Sequence, residues 1–221
     1  MDVMNAVTTR RSIRKFKADA VPESLIREIL EAARRAPSWG NTQPWEIAVV
    51  TGEKLEKFKN ANRQLQAEGA LPQPDTAMPS TWPEHIKQRY NDVGKRVLTA
   101  LHIARGDKEA RQRYYSDMAT LFGAPALLLF CLDKEISRAY GMLDIGAILQ
   151  TTCLLAHARG LGTCILSATV LYPAMVREMI PQLSSKAIIM GIALGYPDEG
   201  TPVNAFERER APLDSVTLWI K

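Results

Sequence analysis

The densest concentration of reactive side chains is Arg10-Arg11-Ser12-Ile13-Arg14-Lys15-Phe16-Lys17, where five of eight positions are basic. Forked guanidinium donors beside a hydroxyl suit a phosphate monoester, which takes several strong donors and two opposing charges. A solvated basic edge has the same composition, but Ile13 and Phe16 count against it, since they anchor the segment to a core. A second concentration runs from Ala36 to Trp45 and packs hydroxyl, amide and aromatic groups between Pro37 and Pro44. Such a loop suits hydrogen bonding to the edge of a flat heterocycle. Alternatively, Asn41 and Gln43 serve only the loop's own backbone. A third segment, Gly160-Leu161-Gly162-Thr163, has the spacing that begins a dinucleotide fingerprint. Its context is reversed, following a helix and opening a strand, and the third glycine is missing.

Other chemistries are excluded by what is absent. There is no GxSxG, CxxC or HExxH, and His85, His102 and His157 lack metal-ligand spacing. Cys131, Cys153 and Cys164 each sit in an apolar run and read as reduced packing residues. Paired carboxylates appear only as helix-surface acids. Difficult chemistry must therefore come from an organic cofactor, held by its phosphate at the arginine cluster. A formal charge of +4 is too mild to argue for nucleic acid.

The elements that must position these groups follow from periodicity. Residues 2–9 suit a short helix. Pro22-Glu23 starts a second, with Leu25, Ile26, Ile29, Leu30 and Ala33 at helical spacing until Pro37. Residues 45–50 read as a buried strand and 53–69 as a polar helix. Residues 71–83, with four prolines, are an irregular excursion. Helical patterns resume to about residue 122. The run at 126–132 (ALLLFCL) is a strand, 137–159 the longest helix with Gly160 as its cap, 163–166 a short strand, 172–180 a helix and 187–194 (AIIMGIAL) a buried strand. Continuous apolar strands imply a sheet covered on both faces by helices, an α+β or α/β layered architecture. The charge-free stretch 145–158 has 14 residues and includes Gln150 and His157, which reads as a core helix and not a membrane span. No signal-peptide core precedes it, so a cytoplasmic protein is expected.

Four of these segments, in order, resemble the FMN-dependent nitroreductase family: R-R-S-I-R-K-F at 10–16, A-P-S-W-G-N-T-Q-P-W at 36–45, G-L-G-T at 160–163, and A-L-G-Y-P at 193–197 followed by R-E-R-A-P-L-D at 208–214. The resemblance implies an α+β fold spanning 1–221 as one domain, with a central mixed sheet flanked by helices. It also implies an intertwined homodimer with FMN at the interface and a tail, from about 196, packed on the partner. By matching position, Arg10, Arg11, Ser12 and Arg14 would hold the FMN phosphate, ribityl chain and pyrimidine edge, and Arg208 and Arg210 would return to the phosphate. Pro37, Ser38, Asn41 and Gln43 would line the ring from the other subunit, and Leu166 and Ser167 would place backbone groups near the flavin's reactive nitrogen. Ser167-Ala168 stands where many relatives carry two glycines. Contacts from a middle segment have only loose candidates, within 111–122.

The implied activity is ping-pong hydride transfer from NAD(P)H to FMN and on to a nitroaromatic or quinone-type acceptor. Alternatives on the same scaffold are reductive dehalogenation, flavin fragmentation or a non-catalytic flavin-binding sensor.

Overall fold

Seven of the eight residues of strand β2 (Ala126–Asp133) are buried, which is possible only for a strand with a neighbour on each edge and a layer on each face. The computed structural model, describing residues 1–221, places it so. The sheet order is β1 (Trp45–Thr51), β2, β4 (Lys186–Gly195), β3 (Gly162–Leu166). Leu128, Phe130 and Leu132 pack on one face against Ile26 and Ile29 of α2 (Glu23–Ala33) and Ile145, Ile148 and Cys153 of α6 (Arg138–Ala158). Leu127, Leu129 and Cys131 pack on the other against Leu55 and Phe58 of α3 (Gly52–Ala67) and Val176 of α7 (Pro173–Met179). At roughly 1.5–3 kcal/mol for each fully buried large side chain, this double layer is the main stabilising contribution.

The expectation of a mixed sheet is corrected. All three strand pairings are antiparallel, and the one parallel contact is an isolated bridge between Ser12 and Thr163. In β4 the inward parity changes: Ala187 and Ile189 join the α6 face, and so do Ile192 and Leu194. A register shift opposite Phe130/Cys131 supplies the extra residue that produces the switch.

The long helical stretch resolves into α4 (Glu84–Ala100) and α5 (Lys108–Ala119), separated by a turn in which His102 has φ +56°. α1 is Val3–Thr9. By length and composition α6 could cross a membrane, which the 14-residue charge-free stretch did not suggest; its apolar surface packs against the sheet and α2. The proline-rich excursion is pinned at its start. Asp75 pairs with Arg177, accepts from Ile188 N at 2.8 Å, and its carbonyl accepts from Arg138 at 2.7 Å.

The Gly-Leu-Gly-Thr segment has a structural role. Gly160 ends α6 in the left-handed region, φ +77°. At Gly162 a Cβ would lie 2.5 Å from Ile13 Cγ1, so the missing side chain is what admits the 10–14 segment to the outer edge of β3. Gly162→Ala is expected to lower stability by about 1–3 kcal/mol through this overlap, read from a urea unfolding curve.

Candidate functional site

The basic segment begins where α1 stops. Ser12 bridges Thr163, and Ile13 N donates to the Thr163 carbonyl at 2.9 Å, covering the open edge of β3. Phe16 bridges Pro197, and Lys17 N donates to the Tyr196 carbonyl at 2.9 Å. Ile13 and Phe16 are buried, as their apolar character requires, and Arg10, Arg11 and Arg14 are carried on the other side of the segment into a cavity. Tyr114, from the middle segment, lies beneath Arg14; burial raises its phenol pKa and the guanidinium opposes the shift.

The chain's last stretch returns to this segment through Asn204, which is buried. Its Oδ1 accepts from Arg14 N at 2.7 Å, and its Nδ2 donates to the carbonyls of Lys15 at 2.8 Å and Asp198 at 2.9 Å. Its own carbonyl accepts from the Arg11 guanidinium at 2.9 Å. Four residues later Arg208 donates to the carbonyls of Arg10, Thr8 and Thr9. The partners are neutral carbonyls, so the guanidinium keeps its charge for another ligand. Arg14 lies over the Phe206 ring, 5.7 Å from its centroid.

The result is a set of like charges held together. Burial lowers the Arg208 pKa, and Arg11, Arg10 and Arg210 lower it further. His157, hydrogen-bonded to Thr9 Oγ1 at 2.7 Å, is likewise lowered by burial and then by Arg10, Arg208 and Arg11. Such a positive field destabilises the empty chain and is relieved by an anion. Arg10, Arg11, Ser12, Arg14, Arg208 and Arg210 all line one cavity of about 760 Å³. A hydroxyl and several guanidinium groups around that volume fit a phosphate monoester with a molecule attached.

The remaining expected residues lie elsewhere. Pro37, Asn41 and Gln43 are exposed and Ser38 half-buried, on a loop that does not line this cavity. The loop is held rigidly: Ser38 Oγ accepts from Gln43 N at 2.9 Å, and Asp144 of α6 accepts from Trp39 N at 3.1 Å. Gln43 Nε2 donates to the Asn41 carbonyl at 3.2 Å, so within one chain Gln43 does serve the loop's own backbone. Left-handed conformations are expected of glycines; here Gly40 is followed by Asn41 at φ +58° and, after Thr42 at φ −68°, by Gln43 at φ +48°. Non-glycine residues in this region store backbone strain, which persists where function fixes the shape. Leu166 and Ser167 close β3, where their carbonyls accept from Thr169 Oγ1 at 2.6 Å and Val170 N at 3.0 Å.

Three groups of site residues escaped the sequence reading. Asn204 and Phe206 carry no local signature, since their partners are remote in the chain. The third is a wall from α4, with Arg89, Asp92, Val93 and Arg96, inside a helix whose pattern is merely polar. Arg96 pairs with Glu209, joining that wall to the tail. The cysteines are as expected: all three are free and buried, and burial pushes Cys131 up to about 12 and Cys164 to about 11, too high for a thiolate nucleophile. Asn204→Ala, which strands Arg14 N and two carbonyls, is expected to lower stability by about 2–3 kcal/mol in urea unfolding.

The chain is similar over nearly its whole length to several known proteins. The 4-nitrobenzoate reductase of Pseudomonas putida is 32% identical over 214 residues, covering 97% of this chain and 93% of that one. The nitroreductase NfnB of Mycolicibacterium smegmatis is 32% identical over 211 residues, covering 95% and 89%. The crystal structure of the FMN-dependent nitroreductase NfnB from Mycobacterium smegmatis in complex with NADPH superposes with a TM-score of 0.93 at 29% identity, over 99% of this chain and 97% of that one. The FMN- and NADPH-dependent NfnB from Sphigopyxis sp. strain HMH gives 0.94 at 32% identity, over 100% of both. Residues 7–196 match the Nitroreductase family, and the chain belongs to it.

Proposed function

We propose that the protein is a cytoplasmic, homodimeric, FMN-dependent oxidoreductase that uses NAD(P)H to reduce nitroaromatic or quinone-type acceptors. The observation that carries this reading is the convergence of arginines from both ends of the chain on one cavity. Bound FMN supplies the redox chemistry, accepting a hydride from the nicotinamide and passing reducing equivalents to the acceptor.

The chain's own residues bind and orient. Arg10, Arg11, Arg208 and Arg210 hold the phosphate with Ser12, and Arg14, fixed over Phe206, directs positive charge at the pyrimidine edge. Leu166 ends β3, the strand whose Thr163 is bridged to Ser12, and Ser167 follows it, a position that supports their offering backbone groups to the ring. No protein acid or base is required. The three buried free thiols accord with a reducing compartment.

Dimerisation explains why Pro37, Ser38, Asn41 and Gln43 lie away from the cavity of their own chain. They line the ring in the partner's site, on a loop that Asp144 stiffens. One chain exposes 13350 Å², whereas a folded monomer of 24.6 kDa exposes about 10,000 Å². The excess suits an obligate interface of roughly 2,000–5,000 Å². Val3, Met4 and Val7 of α1, Leu143 of α6, and Leu218, Trp219 and Ile220 are exposed apolar residues available to it. The exposed apolar residues at 218–220 support a tail that covers the partner, while Tyr196, Asp198, Asn204 and Arg208 also hydrogen-bond within their own chain.

Arg208→Ala with Arg210→Ala is expected to weaken FMN binding by at least about 100-fold while leaving riboflavin, which lacks the phosphate, little affected. Equilibrium dialysis of both flavins checks this. Full FMN affinity in the double variant would remove the tail arginines from the site.

A further inference from the structure

We propose that the α4 wall of the cavity is a second anion subsite, in which Arg89 receives the 2′-phosphate of NADPH and so sets preference for NADPH over NADH. The proposal rests on the FMN reading above and concerns charge that FMN leaves unused. Seven arginines line the cavity against three carboxylates, so its wall carries four more positive charges than negative ones. A bound phosphate monoester offsets two. Of the two that remain, Arg14 faces the flavin's pyrimidine edge and the other is left for a second anion; a 2′-phosphate monoester, a dianion, gains more from it than the monoanionic carboxylate of an aromatic acceptor.

Position separates the two subsites. Arg96 is paired with Glu209, and through it belongs to the tail that carries Arg208 and Arg210. Arg89 lies two helical turns before Arg96, so it is about 10 Å away along the same face of α4. One phosphate group is too small to bridge that separation. Between them on this face are Asp92 and Val93, which also line the cavity. The Arg89 side chain makes no ion pair or hydrogen bond within the chain, although lysines and arginines elsewhere on the surface repeatedly pair with acids one helical turn away. Arg89 lines the same cavity at the opposite end of this face from the Arg96–Glu209 pair. α4 is anchored by few contacts, since Val97 is its one buried residue, so the wall can adjust to a ligand that arrives and leaves in each cycle.

The test uses the FMN-loaded protein and its Arg89→Gln variant, a change on an exposed helix surface that leaves the core intact. Anaerobic stopped-flow reduction of the flavin is followed with NADPH and with NADH. In parallel, calorimetric titrations with 2′,5′-ADP and with 5′-AMP read the subsite without turnover. The expected result is an apparent dissociation constant for NADPH raised about tenfold or more with NADH changed less than about twofold. The same selective loss is expected for 2′,5′-ADP over 5′-AMP, with FMN occupancy unchanged. Arg89→Lys should recover part of the difference, as a point charge without the fork.

Equal changes for NADPH and NADH, or none, overturn the proposal. So does an unchanged coenzyme ratio accompanied by a selective loss for 4-nitrobenzoate over nitrobenzene, which would assign Arg89 to the acceptor. The calorimetric arm keeps failure of the FMN reading distinct: a protein that binds no FMN but loses 2′,5′-ADP on Arg89→Gln would contradict the flavin site and retain this subsite.

Discussion

The structure is organised around a repulsion. Arg10, Arg11, Arg208 and Arg210 line one cavity, where burial first and the neighbouring guanidinium groups second lower the Arg208 pKa. What holds them is neutral. Arg208 is fixed by the carbonyls at the end of α1, Arg11 by the Asn204 carbonyl, and the Asn204 amide ties the two strands of chain together. Acids in the same places would have relieved the repulsion and neutralised the site. Carbonyls and an amide supply geometry and leave the charge for a ligand.

The remainder of the fold can be understood as what makes that arrangement rigid. β2 and β4 form the double-sided core, β3 carries Thr163 to the edge where Ser12 and Ile13 dock, and the small Gly162 permits the approach. Tyr196 and Pro197, immediately after β4, pair with Lys17 and Phe16 and so start the tail toward the same place. Helix α6 has two duties. It buries Ile145, Ile148 and Cys153 in the core, and it presents Asp144 to the loop that would serve the partner's site.

Local signals carried much of this. The run ALLLFCL declares a buried strand, five basic residues in eight suit the anion site proposed here, and Gly160 declares the end of α6. A continuous apolar run reports burial on two faces but not the direction of the neighbouring strand, so the sheet's antiparallel character was not legible. The extra residue in β4 was hidden for a related reason, because alternation cannot be seen where both faces are apolar. Asn204 and the α4 wall were missed because their meaning is tertiary: an asparagine in Val-Asn-Ala and an arginine on a polar helix look like surface until the chain returns beside them. The turn-rich loop around 38–44 was legible from its residue types, but the left-handed backbone at Asn41 and Gln43 has no sequence signature.

The central claim is that the converging arginines exist to hold FMN in a protein that turns over with a reduced nicotinamide. The most direct measurement is an anaerobic absorbance spectrum of the purified protein incubated with FMN and desalted, before and after NADPH is added. The account predicts retained flavin bands near roughly 370 and 450 nm, a property of the cofactor, that bleach within seconds of the addition. A colourless protein, or bands that persist in the presence of NADPH, would contradict it.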